Sequence, residues 1–144
     1  MDIFKSMDIS ASALTAERFR MDIIAENLAS ATTTRTENGQ PYRRKYTVFQ
    51  TREPSFGSYF KDAVGQMTGN GVRVTSVRED QSDFKLKYDP EHPDADESGY
   101  VRMPNVDTLR EMVDMMAASR SYEANITMLN GTKQLAMKAL EIGK

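Results

Sequence analysis

Residues 86–107, LKYDPEHPDADESGYVRMPNVD, hold the chain's single histidine in acidic company: His92 stands among Asp89, Glu91, Asp94, Asp96 and Glu97. Two metal chemistries are conceivable there. Asp94-x-Asp96-x-Ser98-Gly99 reproduces the first half of an EF-hand calcium loop, glycine included. The twelfth position of that loop needs a bidentate glutamate, and here it is Asn105, preceded by Pro104. A transition metal would find one imidazole and carboxylates, with no second histidine or thiolate to complete a usual set. The plainer reading is a chain-reversing loop, punctuated by Pro90, Pro93 and Gly99, whose acids are solvated. A small metal- or ligand-binding domain built on residues 89–97 is the alternative against which other functions are weighed.

Other chemistry is thinner still. There is no cysteine and no G-x-S-x-G, and His92 would be the only base, flanked by prolines. Gly69-Asn70-Gly71 lacks the spacing and lysine of a phosphate loop. Tyr42-Arg43-Arg44-Lys45-Tyr46 interleaves bases with aromatics, as some single-strand binders do, but such a short run is more often a solvated strand face. No catalytic, cofactor-binding or metal residue is assigned, and no enzyme is expected.

Composition narrows the class. Over 144 residues, 19 basic and 21 acidic side chains leave a net charge of −2, without the basic excess that neutralises nucleic-acid phosphates. Mean hydropathy is −0.60, so the apolar core is modest. The opening MDIFKSMDISASAL carries early acids and no apolar run before a small-residue site, so no cleaved signal is expected. No window approaches the roughly 18 apolar residues of a membrane span.

Two long helices must position whatever the middle does. From Lys5 to Ala31, Met7, Ala11, Leu14, Met21, Ala25 and Leu28 recur at alternating intervals of four and three, interrupted at Arg18. That average of about 3.5 is the period of a coiled-coil seam. Thr32, Thr33 and Thr34 end it, because successive β-branched residues lose side-chain freedom in a helix. A second helix is expected from Asp107, with Thr108 and Glu111 at capping-box spacing. Its stripe is Met112, Met115, Ser119, Tyr122, Ile126, Leu129, Ala136 and Leu140, with a bend or fraying at Asn130-Gly131. Between the helices, Tyr46 and Val48, Val72 and Val74, and Phe84, Leu86 and Tyr88 alternate like half-buried strands. Residues 51–71 show little periodicity. The expected fold is mainly α with a small β region: an N-terminal helix in 1–34, a β-rich, irregular middle over 35–104, and a C-terminal helix in 105–144. The helices pair as a coiled coil. Such narrow seams leave little surface to anchor the strands, and the pattern admits two readings: two helices of an ordinary α+β monomer, or a subunit whose core is completed by neighbouring copies or partner chains.

Both ends resemble the flagellar rod and hook axial protein family. Ala13-Leu14-Thr15-Ala16 and Asn27-Leu28-Ala29-Ser30-Ala31-Thr32 follow its N-terminal signature, with Ser30 where asparagine is usual. The run His92-Pro93-Asp94-Ala95-Asp96, Gly99-Tyr100-Val101 and Met103-Pro104-Asn105-Val106-Asp107 is similar to the proximal rod subunits. So is Ala118-Ser119-Arg120-Ser121-Tyr122-Glu123-Ala124-Asn125.

The resemblance implies a structural subunit of the proximal rod, exported by the flagellar type III apparatus without signal cleavage and assembled in the periplasmic basal body. It also implies polymerisation with copies of itself and neighbouring rod proteins around the export channel, without cofactor, nucleic acid or membrane insertion. The assembly residues expected are Met7, Leu14, Met21, Asn27 and Leu28 on the first helix, and Met112, Met115, Tyr122, Ile126, Leu129 and Leu140 on the second. The acidic loop then hands the chain from the β region into the C-terminal helix.

Overall fold

The computed structural model describes residues 3–53 and 70–142. Helix α1 (Ile3–Ala29) is followed by strands β1 (Lys45–Thr51), β2 (Val72–Glu79), β3 (Lys85–Tyr88) and β4 (Tyr100–Met103), then helix α2 (Thr108–Ile142). β1 pairs with β2, and β3 pairs antiparallel with β4. Two long terminal helices flanking a small β region are therefore present. The loose segment expected over 51–71 falls mostly on residues 54–69, outside the described residues.

The chain divides into two compact units, each built from separated stretches. The first comprises Met1–Phe19, Val48–Ser76 and Ala118–Lys144. Its α1 portion buries small residues, Ser12 and Ala16, and its α2 portion buries Ala118 completely. Ser12 lets strand and helix approach closely. Its hydroxyl donates to Ile9 O (2.7 Å) and accepts from Val72 N (3.1 Å). Gly71 sits against it at φ +78°, a conformation that other residues adopt only under strain, and a Cβ there would collide with the Ser12 hydroxyl. Val72, Val74 and Ser76 are half-buried while Arg73 and Thr75 are exposed, the alternation expected for β2.

The second unit comprises Arg20–Thr47 and Val77–Ala117 and holds Ile24, Tyr42, Val101, Pro104 and Val106 as its apolar interior. Here β3 departs from expectation. Its alternation is real, but Leu86 and Tyr88 are 66% and 64% exposed. The whole strand is exposed, Lys85 and Lys87 included, although register sets Lys87 opposite Val101 and Lys85 opposite Met103 on the inner side of β4. The buried Val101 fixes which side of the hairpin faces inward. Lys85 accommodates this by extending its ammonium to Val106 O, 2.9 Å away.

Helix α2 begins differently from the capping box expected. Asp107 is the N-cap, its Oδ1 accepting from the backbone N–H groups of Leu109 (3.1 Å) and Arg110 (3.4 Å). Glu111 does not reach back to the cap; it is wholly buried and engaged elsewhere. The helix also runs through Asn130-Gly131 without the fraying expected. Because nothing lies within 4 Å of a Cβ placed on Gly131, Gly131→Ala is expected to stabilise the chain by about 1 kcal/mol. Gly71→Ala is expected to destabilise it. Urea unfolding of both variants beside the parent measures the two shifts, which have opposite signs.

Candidate functional site

A polar cluster joins the end of α1, the start of β1 and the start of α2 inside the second unit. Its hub is Asn27, with no exposed surface. The amide oxygen accepts from the Tyr42 hydroxyl (3.0 Å) and Lys45 N (2.9 Å). The amide nitrogen donates to Lys45 O (2.8 Å) and Glu111 Oε2 (2.8 Å). Both donors and both acceptor positions of the side chain are thus used. By pairing with the N–H and C=O of Lys45 together, the side chain behaves like a short stretch of neighbouring strand.

Glu111, equally buried, takes its second oxygen to Arg44 Nε at 2.6 Å. The same guanidinium reaches Asp114 at 3.4 Å and lies 3.9 Å from Asp80. A buried carboxylate is tolerable only with a charged partner and bonds to its oxygens; Arg44 supplies the charge, and each Glu111 oxygen accepts a hydrogen bond. Arg44 N donates to Asn105 Oδ1 (2.8 Å), whose amide donates onward to Asp80 O (2.9 Å) and Ser82 Oγ (2.9 Å). Asn105 is thereby committed to the fold.

Burial, and then the nearby Glu26 and Glu111 charges, push the Tyr42 phenol well above its ordinary pKa, so it remains a donor. Its contribution to stability is complete below about pH 10 and declines as pH rises further, where the unfolded phenol loses its proton. The Asp80 carboxyl is held below its ordinary pKa, chiefly by the N–H of Ser82 2.9 Å away.

The acidic loop connects β3 to β4 and does not itself lead into α2; residues 104–107 make that passage. Its acids are largely occupied. Asp94 accepts from the Thr34 hydroxyl (2.8 Å) and pairs with Arg35, fastening the loop to the segment after α1. Asp96 Oδ1 accepts from Ser98 N and Tyr100 N, both at 2.9 Å. His92 Nδ1 accepts from Asp94 N (3.1 Å). Asp94 is thus half-buried and bonded rather than solvated. Among the described residues no group of three or more metal-ligating side chains is close enough to share an ion. The Tyr42–Lys45 run is likewise consumed internally, with Arg43 4.3 Å from the Phe84 ring centroid and Lys45 2.6 Å from Glu26.

The expected seam residues stand apart from this cluster, Asn27 excepted. On α1, Met7, Leu14, Met21 and Leu28 are half-buried. The fully buried residues of that helix, Ser12, Ala16, Ile24 and Asn27, lie roughly 130° around it, at 100° per residue. On α2, Met115, Tyr122 and Leu129 are half-buried, whereas Met112, Ile126 and Leu140 are exposed. Ser12 went unnoticed in the sequence, and Tyr42, Arg44 and Glu111 were read in other roles, because their partners are distant along the chain. The capping-box spacing of Glu111 even pointed to another role.

Isosteric Asn27→Asp is expected to cost on the order of 3 kcal/mol, because it removes both donors and sets a carboxylate against Glu111. Adding Glu111→Gln restores a donor between the two positions and is expected to recover a measurable part. A double-mutant cycle in urea quantifies the recovery, and simple additivity would refute the coupling.

Comparison with known proteins adds an independent observation. Residues 97–142 match the family described as the flagellar basal body rod FlgEFG protein C-terminal. The chain is 52% identical to the flagellar basal-body rod protein FlgC of Bacillus subtilis (strain 168), with all of both chains covered. It is 46% identical to the protein of the same name from Salmonella typhimurium, again over the whole of both. The Borreliella burgdorferi protein of that name is 45% identical, covering 99% of this chain and 98% of its own.

Proposed function

Because this chain belongs to the FlgC family of flagellar basal-body rod proteins, we propose that it polymerises through its two terminal helices into the tube that surrounds the export channel. It is a structural subunit of the flagellar rod and resides in the basal body. The observation that carries this is similarity over the entire length, including both helices and the loop between β3 and β4.

Several features support the finer reading. Half-buried and exposed apolar residues on both helices (Met7, Leu14, Met21 and Leu28; Met112, Met115, Tyr122, Ile126, Leu129 and Leu140) are what lateral and axial neighbours would cover. Asn27 serves the same surface from inside, by fixing α1 to β1 and α2. In this reading residues 1–34 and 105–144 are the axial parts, with the helices pairing as a coiled coil, and 35–104 lies outward against other rod proteins. Delivery through the type III export apparatus without signal cleavage completes the proposal, and the chain has no enzymatic role. The described helices include none long and apolar enough to cross a membrane.

Two measurements test it. Antibody to this chain, viewed on detergent-extracted basal bodies, is expected to label only the rod; intact basal bodies without label from expressing cells would contradict the reading. Leu28→Asp and Leu129→Asp strains are expected to lack complete rods and to be non-motile. Normal rods in both strains would remove the helices from assembly.

A further inference from the structure

His92 is the chain's single histidine, and histidine is the one side chain whose ordinary titration changes its charge between about pH 5 and pH 8. Its place in the β3–β4 loop is fixed through its own backbone. His92 N donates to Asp89 O (3.2 Å), and His92 O accepts from Ala95 N (3.0 Å). The ring reaches forward from there, so that Nδ1 accepts from Asp94 N at 3.1 Å. An imidazole nitrogen accepts a hydrogen bond only while it carries no proton. The bond therefore specifies a neutral ring with its proton on Nε2.

What this bond holds in place is the fastening of the loop. One carboxylate oxygen of Asp94 accepts from the Thr34 hydroxyl at 2.8 Å, and the other pairs with Arg35, both in the segment after α1. The Asp94 side chain is only 19% exposed, so these partners replace water to a large degree. Asp94 is thus gripped by its backbone from His92 and by its side chain from Thr34 and Arg35. A proton on Nδ1 sets two N–H groups against each other. The ring must then turn away, and Asp94 N loses its acceptor. The loop's own charges are Asp89, Glu91, Asp94, Asp96 and Glu97, joined from outside by Arg35 and by Lys87 of β3, which pairs with Asp89 at 3.3 Å. The turned imidazolium has carboxylates to donate to, that of Asp94 among them, in competition with Arg35.

We propose that His92 makes the fastening of the β3–β4 loop to the segment after α1 a proton-operated clasp, closed while the imidazole is neutral and loosened when it is protonated. The sign follows from the acceptor role of Nδ1. The contact is complete on the alkaline side of the imidazole's titration and is lost as pH falls through it. The clasp stands on the loop alone and holds whether or not the helices polymerise.

Nuclear magnetic resonance of the full chain, labelled with nitrogen-15, tests this, because one imidazole gives one unambiguous set of ring signals. A coupling across the hydrogen bond between Asp94 N and His92 Nδ1 is expected at about pH 8 and not at about pH 5. The Thr34, Arg35 and Asp94 signals are expected to move with the midpoint of the ring. Corrected for intrinsic exchange, protection of Asp94 N–H is expected to fall about fivefold across the same range, as for the loss of one hydrogen bond. In His92→Asn the side-chain oxygen stands where Nδ1 did and takes no proton in this range, so protection is expected to persist throughout. In His92→Leu it is expected to be low at both ends. A parent ring that titrates while Thr34 and Asp94 stay unchanged, or a His92→Asn chain that keeps the parent's pH dependence, would overturn the clasp. If either variant fails to fold, the titration of the parent decides the question by itself.

Discussion

The second unit depends on a single amide. Asn27 can be buried only because four partners occupy its two donors and two acceptor positions. Each partner comes from a fixed place: Tyr42 before β1, the backbone of Lys45 at its start, and Glu111 one turn into α2. A hydrophobic seam tolerates sliding or rotation by a fraction of a turn at small cost. A fully satisfied polar hub does not, because any shift strands a buried donor or acceptor. Glu111 extends the constraint through Arg44 to Asn105 and Asp80. The end of α1, the start of α2 and the strands between them therefore share one register.

That arrangement separates two tasks which a small apolar inventory would otherwise force together. The interior is held by directional bonds around a few apolar residues, Ile24, Tyr42, Val101 and Val106. Larger apolar side chains are released to the surface of α2 and of the hairpin. A chain of modest hydropathy can in this way keep a defined fold and still present sticky faces.

Much of this was legible in the residues, and the failures share a cause. Helical periodicity located both helices to within a few positions, and alternation located β2 and β3. Pattern reading assumes that apolar side chains mark the covered face. On β3 the lysines share Val101's side instead, and on α1 the line of full burial contains Ser12, Ala16 and Asn27, which a search for large apolar residues passes over. Glu111 sits three residues after Thr108 and mimics a capping box, yet Asp107 makes the cap. The hub itself joins positions that no local window contains. Family resemblance supplied Asn27 and Asn105 as notable residues without saying what they touch.

Asn27 and Glu111 are 84 residues apart, and that separation has a temporal meaning. The lock has no partial form: until both helices are present, the amide and the carboxylate are better left in water. A chain delivered from its N-terminus must release more than a hundred residues before the hub can close. One delivered from its C-terminus would wait slightly longer, because Asn27 lies nearer its end than Glu111 does to the other. Completion of the second unit is thus tied to the presence of the whole stretch from Asn27 to Glu111.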